Sequence, residues 1–177
     1  MNECDPDTDA YVGVGSNIAP EDNVPRALDL LARQVHLLDV STAYWTPAVG
    51  RADQADYLNC VLKIRTDRPA RALKEHVLRP IEDALGRIRS EDKYAARPMD
   101  LDILIYGREI LDEPGLCLPD PDILRRPFLA VCLLELVPDM ILPGMDRLLA
   151  DVPFSGSAVL GRPDFNLTKQ LKARIIS

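Results

Sequence analysis

Hydrophobic and polar positions along the 177-residue chain follow two different periods. Four short segments are rich in apolar and β-prone side chains, and they are residues 10–15, 40–46, 57–66 and 99–106. Two longer segments, residues 20–38 and 69–85, repeat apolar side chains every three or four positions, as an amphipathic helix does. The order β-α-β-β-α-β predicts a ferredoxin-like α+β sandwich, a mainly antiparallel sheet with helices packed on it.

The second long helix carries signals for its ends and for an internal irregularity. Pro69 begins it and Gly86 ends it, because Pro is tolerated in a first turn and Gly adopts the left-handed conformation that follows many helices. Pro80 lies inside it and lacks the N–H that a regular turn uses, so we expect a kink there. Residues 87–98 are charged without a period, and a short apolar helix is expected near residues 128–137.

The chain divides into a disordered acidic tail (residues 1–9), a single domain (residues 10–153) and a C-terminal extension (residues 154–177). The formal net charge is -7, and the tail is acidic without any Lys or Arg. This balance argues against a protein that binds nucleic acid or an anionic membrane, since such proteins concentrate positive charge. A local site still has to be judged from its own residues.

Signals for export or membrane insertion are absent from the sequence. The N-terminus lacks the basic and apolar runs of a signal peptide, and no stretch is long and apolar enough for a membrane span. The four cysteines are far apart and match neither a zinc site nor a disulfide framework. We therefore expect a cytoplasmic protein, for which a monomer is slightly favoured.

The first candidate site is a pair of aspartates in the strand predicted at residues 99–106. Because side chains alternate along a strand, Asp100 and Asp102 share one face. The other face carries the apolar side chains Met99, Leu101, Ile103 and Ile105. Two carboxylates about 7 Å apart repel each other by about 2 kcal/mol, and a divalent cation that prefers oxygen ligands, such as Mg²⁺, reverses that repulsion. Taken alone, so short a pattern is better explained as the solvated polar face of a half-buried strand.

The second candidate site is the charged segment directly before that strand. Its four basic residues outnumber its two acidic residues, and they are Arg87, Arg89, Lys93 and Arg97. Most such segments are solvated loops. Beside a metal-binding pair, however, arginines suit polyphosphate transfer, because the metal bridges phosphate oxygens while guanidinium groups neutralise developing charge. Together the two features favour a polyphosphate site over a solvated loop.

A third feature suits a flat heterocycle. Tyr57 and Asn59 share one face of the strand predicted at residues 57–66. An aromatic ring offers a stacking plane, and an amide can both donate to and accept from a ring edge. An exposed polar face explains the two residues equally well. His36 and His76 lie away from any paired Ser or Cys, so covalent catalysis is disfavoured.

In combination these residues resemble the 6-hydroxymethyl-7,8-dihydropterin pyrophosphokinase family, from about residue 10 to residue 144. The motifs that carry the resemblance are Gly15-Ser16-Asn17, Tyr44-x-Thr46-Pro47-x-x-Gly50, Asp53-Gln54-x-Asp56-Tyr57-Leu58-Asn59, Gly86-Arg87-x-Arg89, Arg97-x-x-Asp100-Leu101-Asp102-Ile103, Leu118-Pro119 and Arg126-x-Phe128. The resemblance implies a folate-pathway enzyme that transfers pyrophosphate from ATP to the pterin hydroxymethyl group and releases AMP. It also implies the ferredoxin-like fold.

The resemblance assigns roles by position. Asp100 and Asp102 would hold two Mg²⁺ ions between the substrates, and Arg87 and Arg97 would be catalytic. The residues implied at the ATP site are Glu82, Arg87, Arg89, Ile103, Asp120 and Arg126. Those implied at the pterin site are Thr46, Pro47, Val49, Tyr57, Asn59, Tyr94 and Phe128, with the ring between Tyr57 and Phe128.

Three positions depart from the family pattern. Tyr94 stands where the mobile loop usually has Trp, and Ala95-Ala96-Arg97-Pro98 replaces Gly-Pro-Arg-Thr. Asp120 replaces the His of a Pro-His-Pro motif, and its carboxylate would repel a triphosphate unless it is paired or metal-bound. Two alternatives therefore stay open: a diverged pterin- or nucleotide-binding paralogue with weak or altered activity, and a two-metal nucleotidyl transferase, which the aspartate pair alone permits.

Overall fold

Within the residues that the computed structural model describes, 7–92, 94–153 and 161–175, six of eight strands form one antiparallel sheet. The strands are β1 (Thr8–Ser16), β2 (His36–Val40), β3 (Ala43–Thr46), β4 (Tyr57–Thr66), β5 (Asp100–Tyr106), β6 (Leu111–Glu113), β7 (Leu116–Leu118) and β8 (Arg162–Asp164). The order across the sheet is β5-β1-β4-β3-β8, and β2 also pairs with β4. Strands β6 and β7 form a separate hairpin.

Six α-helices lie in the same described residues. They are α1 (Pro20–Leu31), α2 (Ala70–Leu73), α3 (Arg79–Ala84), α4 (Asp122–Arg125), α5 (Pro127–Leu136) and α6 (Phe165–Ile175). A π-helical turn, Lys74–Leu78, joins α2 to α3. The predicted α+β class, a mainly antiparallel sheet with helices packed on it, is confirmed.

Hydrophobic side chains cover both faces of the sheet. One cluster includes Val12, Leu28, Leu62 and Leu73, and it lies between the sheet and the helices α1, α2–α3 and α6. A second cluster includes Tyr11, Val61, Leu104 and Leu133, and it lies between the sheet and α4–α5. Strand β4 is therefore buried along most of its length. Polar side chains on these strands stand out as exceptions that need a functional explanation.

The predicted first helix is too long. It ends at Leu31 rather than near residue 38, and His36–Val40 forms β2 against β4. The predicted strand at residues 40–46 is in turn divided, because Ser41 interrupts it and its Oγ accepts a hydrogen bond from the Val61 N–H at 2.9 Å. The apolar spacing predicts a helix that includes Val35. Pairing of β2 with the long strand β4 overrides this local preference.

The face of β5 predicted for each side chain is correct up to Ile103 and wrong for Ile105. Tyr11 pairs with Ile105 while Val12 pairs with Ile103, so Leu104 is an extra residue in a β-bulge. Beyond the bulge, Ile105 joins Leu104 in the second hydrophobic cluster rather than Ile103 in the first. The bulge leaves Asp100 and Asp102 on one face.

The irregularity expected at Pro80 is present as the π-helical turn that ends just before α3. Widening a helix by one residue is a common way to accommodate a missing N–H. Gly86 follows the helix with a φ of 89°, as its predicted role as a stop requires. The short apolar helix predicted at residues 128–137 is confirmed as α5.

Regular secondary structure extends beyond residues 10–153 at both ends. Strand β1 begins at Thr8, so Asp9 belongs to the sheet, where its carboxylate accepts a 2.7 Å hydrogen bond from Arg65 Nε of β4. Residues 1–6 of the predicted tail and residues 154–160 and 176–177 of the predicted extension lie outside the described residues. The rest of the extension forms β8 and α6, which pack on β3 and on α1.

Helices in the described part of the chain are too short or too polar to cross a membrane.

Candidate active site

A cavity of about 450 Å³ opens where β1, β3, β4 and β5 approach the loop after β7 and the start of α5. All seven residues predicted for the pterin site line it: Thr46, Pro47, Val49, Tyr57, Asn59, Tyr94 and Phe128. Charged residues from the other predicted sets line it too, namely Arg97, Asp100, Asp102, Asp120 and Arg126. One cavity thus combines an aromatic and amide wall with a carboxylate pair and arginines.

Asn59 is fixed within this wall. Its Nδ2 donates a 2.7 Å hydrogen bond to Thr46 Oγ1 across the β3–β4 pair, and its side chain is buried. Gly15 of β1 leaves room for this amide, since a Cβ at that position would lie 3.0 Å from Asn59 Oδ1. The amide is therefore held in one orientation beside the cavity, as an edge-reading group requires.

Two aromatic residues flank the cavity from different elements. Tyr57 is the first residue of β4 and Phe128 lies in the first turn of α5. Burial raises the pKa of Tyr57, with Arg97 acting in the opposite direction, so the phenol is neutral at ordinary pH. A neutral phenol and a buried phenyl ring are both suited to stacking.

The arginine segment is tied to β1 through Asn17. The Arg97 N–H donates to Asn17 Oδ1 at 2.7 Å, and the Asn17 N–H donates to the Arg97 carbonyl at 3.0 Å. Asn17 Nδ2 also donates to Gln54 Oε1 at 3.2 Å. The main chain at Arg97 is thereby fixed next to the aspartate pair.

Gln54 ties the other side of that segment to the loop between β3 and β4. Its Nε2 donates to the Tyr94 carbonyl at 2.8 Å, and its side chain lines the cavity. Gly50 has a φ of 75°, and a Cβ there would lie 3.3 Å from the Tyr94 ring. The sequence alone assigns no role to Asn17 or Gln54. Both residues lie in the motifs quoted above, and that position was the clue that they belong to the site.

Asp100 binds both arginines that the resemblance implies as catalytic. Arg97 Nη1 donates to Asp100 Oδ2 at 2.7 Å, and Arg87 Nη1 donates to Asp100 Oδ1. Arg97 lines the cavity, whereas Arg87 lies behind the wall with 16% of its side chain exposed. The two arginines therefore bind different oxygens of the Asp100 carboxylate.

Glu82 binds Arg87 and Arg89 from a buried position outside the cavity lining. Its carboxylate accepts hydrogen bonds from the Leu101 N–H at 2.7 Å, Arg87 Nη1 at 2.6 Å and Arg89 Nη2 at 2.7 Å. Burial raises the pKa of Glu82, and the hydrogen bond from Leu101 and the arginine charges oppose that rise. Glu82 connects α3 to β5 and does not line the cavity.

Asp102 faces the cavity on the same side of β5 as Asp100. Desolvation in the concave site and the negative charge of Asp100 raise the pKa of Asp102, while the Lys74 ammonium, 4.0 Å from its Oδ1, acts in the opposite direction. Crowded carboxylates of this kind are typical of a site that takes a cation.

The donor set fits Mg²⁺ better than a metal enclosed by protein ligands. Among the described residues, no group of three or more His, Cys, Asp and Glu side chains is arranged to hold a metal ion. Mg²⁺ keeps several waters and is commonly bound by one or two carboxylates together with substrate phosphates. Asp100 and Asp102 meet that requirement.

Asp120, the residue in place of the family histidine, lies on the cavity wall. Its N–H donates to the Leu104 carbonyl at 2.8 Å, and its Oδ1 accepts a 2.8 Å hydrogen bond from the Asp122 N–H. Burial raises the pKa of Asp120, although that hydrogen bond from Asp122 opposes the rise. Arg126 instead pairs with Asp122 at 3.0 Å.

Two further residues of the predicted ATP set lie away from the cavity lining. Ile103 is buried in the first hydrophobic cluster, on the opposite face of β5 from the aspartates. Arg89 is half-exposed and binds Glu82 and Asp83. Lys93, also part of the arginine-rich segment, lies outside the described residues.

Comparison with known proteins gives consistent matches. The family model of 7,8-dihydro-6-hydroxymethylpterin-pyrophosphokinase (HPPK) matches residues 11–138. A relative from Haemophilus influenzae, named 2-amino-4-hydroxy-6-hydroxymethyldihydropteridine pyrophosphokinase, is 38% identical over 138 residues, covering 76% of this chain and 84% of the relative. A relative of the same name from Pseudomonas aeruginosa is 36% identical over 152 residues, covering 82% and 93%.

Solved structures agree at the level of the fold. The structure of wild-type Plasmodium falciparum HPPK-DHPS with pterin and p-hydroxybenzoate has a TM-score of 0.65 to this protein, at 12% identity and over 85% of this chain. The chain spans 42% of that longer protein. From the family match and the two bacterial relatives, the chain belongs to the 7,8-dihydro-6-hydroxymethylpterin-pyrophosphokinase family.

Proposed function

We propose that the protein transfers pyrophosphate from ATP to the hydroxymethyl group of 6-hydroxymethyl-7,8-dihydropterin, releasing AMP, as a step of folate biosynthesis. The observation that carries the proposal is the cavity itself. It gathers the aromatic and amide wall, the aspartate pair and Arg97 into about 450 Å³. The names of the bacterial relatives support the same reaction.

The aromatic and amide wall would bind the pterin. Tyr57 and Phe128 would stack on its two faces, and Asn59, oriented by Thr46, would form hydrogen bonds with its edge. Pro47 and Val49 would complete the apolar lining, and Tyr94 would cover the ring from the arginine segment.

The charged part of the cavity would bind the triphosphate. Asp100 and Asp102 would hold two Mg²⁺ ions, which supply charge neutralisation at the phosphate oxygens. Arg97 lines the cavity and would stabilise charge on the transferred group, while Arg126 would contact the ATP phosphates. Arg87 would act from behind the wall by holding Asp100.

The reaction would be an in-line displacement. The pterin hydroxyl oxygen would form a bond to the β-phosphorus of ATP and lose its proton to water. The bond between that phosphorus and the α,β-bridging oxygen would break with its electron pair on the oxygen, which leaves as part of AMP. Positioning and electrostatic stabilisation suffice for such a transfer, which needs no covalent enzyme intermediate. The proposed substrates are small molecules rather than nucleic acid. The proposed location is the cytoplasm.

The test is product identification. The protein is incubated with ATP, Mg²⁺ and 6-hydroxymethyl-7,8-dihydropterin, and nucleotides and pterins are separated by chromatography. We expect AMP and a pyrophosphorylated pterin in equal amounts. Release of pyrophosphate instead of AMP would identify a nucleotidyl transferase, and pterin binding without turnover would identify a binding paralogue; either result contradicts the proposal.

A further inference from the structure

Gly13 lies in the interior strand β1, which is hydrogen-bonded to β4 on one side and to β5 on the other. Between Ala10 and Ser16, every residue of this strand except Gly13 is buried. Gly13 lines the active-site cavity. The cavity therefore reaches the main chain of an interior strand at this position.

An alanine would fit the described structure at position 13. The φ of Gly13 lies outside the left-handed region. The atoms nearest to a Cβ at Gly13 belong to the Leu104 side chain, at 3.4 to 3.5 Å, which is ordinary van der Waals contact. Gly15 is different, because a Cβ there would lie 3.0 Å from Asn59 Oδ1. A glycine inside a strand costs stability and often marks a place where a ligand approaches the backbone closely.

The pairing of β1 with β5 places this uncovered backbone beside the aspartate pair. Gly15 lies opposite Asp100, and Gly13 lies opposite Asp102. Because residues two positions apart share a face of a strand, both glycines lie on the face that carries the two carboxylates. The bulge in β5 brings the Leu104 side chain into the cavity lining as well. The space over Gly13 beside Leu104, the Gly13 recess, thus adjoins Asp102.

We propose that the Gly13 recess accepts an alkyl branch on the alcohol carbon of the substrate, so that Gly13 is a specificity-determining residue that admits secondary pterin alcohols. The inference rests on the proposed function, which brings the ring to Asn59 and the alcohol oxygen to Mg²⁺ at Asp100 and Asp102. The alcohol carbon is then held over β1, beside the recess. Since the recess lies on one side of that carbon, it accepts the branch of one enantiomer.

The branch leaves the transfer step as it is for the unbranched alcohol. The secondary alcohol oxygen forms a bond to the β-phosphorus of ATP and loses its proton to water. The bond from that phosphorus to the α,β-bridging oxygen breaks with its electron pair on the oxygen, which leaves as part of AMP. What changes is the space that the alcohol carbon needs.

The experiment measures kcat/KM for AMP release with 6-hydroxymethyl-7,8-dihydropterin and with each enantiomer of 6-(1-hydroxyethyl)-7,8-dihydropterin. We expect the wild type to use one enantiomer within about tenfold of the unbranched alcohol, and the other at least about tenfold less well than the first. In Gly13→Ala the added methyl group occupies the recess. The ratio of kcat/KM for the unbranched alcohol to that for the accepted enantiomer should therefore rise about tenfold or more.

Two further measurements separate this role from a structural one. The melting temperature of Gly13→Ala should stay the same or rise, because the backbone at this position suits an alanine. Gly15→Ala is the matched control in the same strand. Its Cβ would displace the Asn59 amide, so it should lower kcat/KM for the branched and unbranched alcohols to the same extent.

Three results would overturn the inference: rejection of both enantiomers by the wild type, equal use of both, or an equal loss for the branched and unbranched alcohols in Gly13→Ala. If Gly13→Ala does not fold, the comparison of the two enantiomers with the wild type decides alone. Absence of AMP release from the unbranched alcohol would instead reject the proposed function.

Discussion

Asp100 and Asp102 share a face of β5 but have different surroundings. Asp100 is bound by Arg87 and Arg97, whereas the ion pair of Asp102 within the described part of the chain is with the more distant Lys74 ammonium. Desolvation and the negative charge of Asp100 raise the pKa of Asp102, and a cation bound beside the pair would offset that charge.

Replacing Asp102 by Asn should abolish activity without loss of stability. Because about half of the Asp102 side chain is exposed and its ion pair among the described residues is the 4.0 Å contact with Lys74, the melting temperature should stay nearly the same. AMP release should fall by about 100-fold or more, since the variant lacks a proposed ligand of Mg²⁺.

Asp112→Asn is the matched control for that variant, because Asp112 lies on β6 outside the cavity and is exposed. It should change neither activity nor melting temperature. Unchanged kcat in Asp102→Asn would show that the metal assignment is wrong.

Arg97→Ala should lower kcat far more than it lowers pterin affinity. Arg97 lines the cavity beside Asp100, and a contact made mainly with the transferred group stabilises the transition state more than the bound substrate. Steady-state kinetics with both substrates measures the effect. A change in KM alone would rule out this role.

At the scale of elements, prediction from the sequence was correct where the local hydrophobic pattern of a segment favours the same structure as its tertiary contacts. Residues 57–66 were predicted as a strand and form β4 with the same bounds. The helix predicted at residues 20–38 instead ends at Leu31, because pairing of β2 with β4 competes with the helical pattern. The bulge at Leu104 depends on the register between β1 and β5, which no local pattern contains.

Glu82→Gln should destabilise the connection between α3 and β5. A neutral amide cannot satisfy Arg87, Arg89 and the Leu101 N–H as a carboxylate does, and Glu82 is buried. We expect a loss of about 2 kcal/mol in the free energy of unfolding, measured with denaturant.

The neighbouring Asp83→Asn serves as the control for Glu82→Gln. Asp83 also binds Arg89, but 56% of its side chain is exposed, so its removal should cost little. Equal losses of unfolding free energy in the two variants would contradict the role of Glu82 as the buried group that connects α3 to β5.

Docking of β8 on β3 should depend on Gly161. Its φ is 88°, and a Cβ there would lie 2.5 Å from the Trp45 carbonyl oxygen. Gly161→Ala should therefore cost clearly more than Gly115→Ala, where φ is 74° and no atom lies within 4 Å of the added Cβ. The Gly115 variant isolates the backbone penalty, about 1 kcal/mol.

Denaturant unfolding of the two alanine variants makes that comparison directly. A larger loss for Gly161→Ala is the expected result. Equal losses would show that β8 can move away from β3 without consequence for stability.

At the scale of the whole molecule, the cavity joins segments that are far apart in the chain. The motifs predicted part of the lining: all seven residues assigned to the pterin site line the cavity, whereas four of the six residues assigned to the ATP site do not. They were not enough to predict what holds those residues. The ties from Asn17 to Arg97, 80 positions apart, and from Gln54 to Tyr94 exist only after folding.

The overall charge of -7 gave no indication of an anion site. Two of the four carboxylates that line the cavity, Asp100 and Asp122, are paired with arginines, so the charge relevant to the substrate is set locally. The site is therefore compatible with a polyphosphate despite the acidic chain.

The central claim is that this cavity moves the pyrophosphoryl group of ATP to a pterin. The most direct measurement is a single turnover of ATP labelled at the α-phosphate, with and without the pterin, in excess enzyme and Mg²⁺. The account predicts labelled AMP as the sole nucleotide product, formed only when the pterin is present. Labelled ADP, AMP formed without the pterin, or unchanged ATP with a folded protein would contradict it.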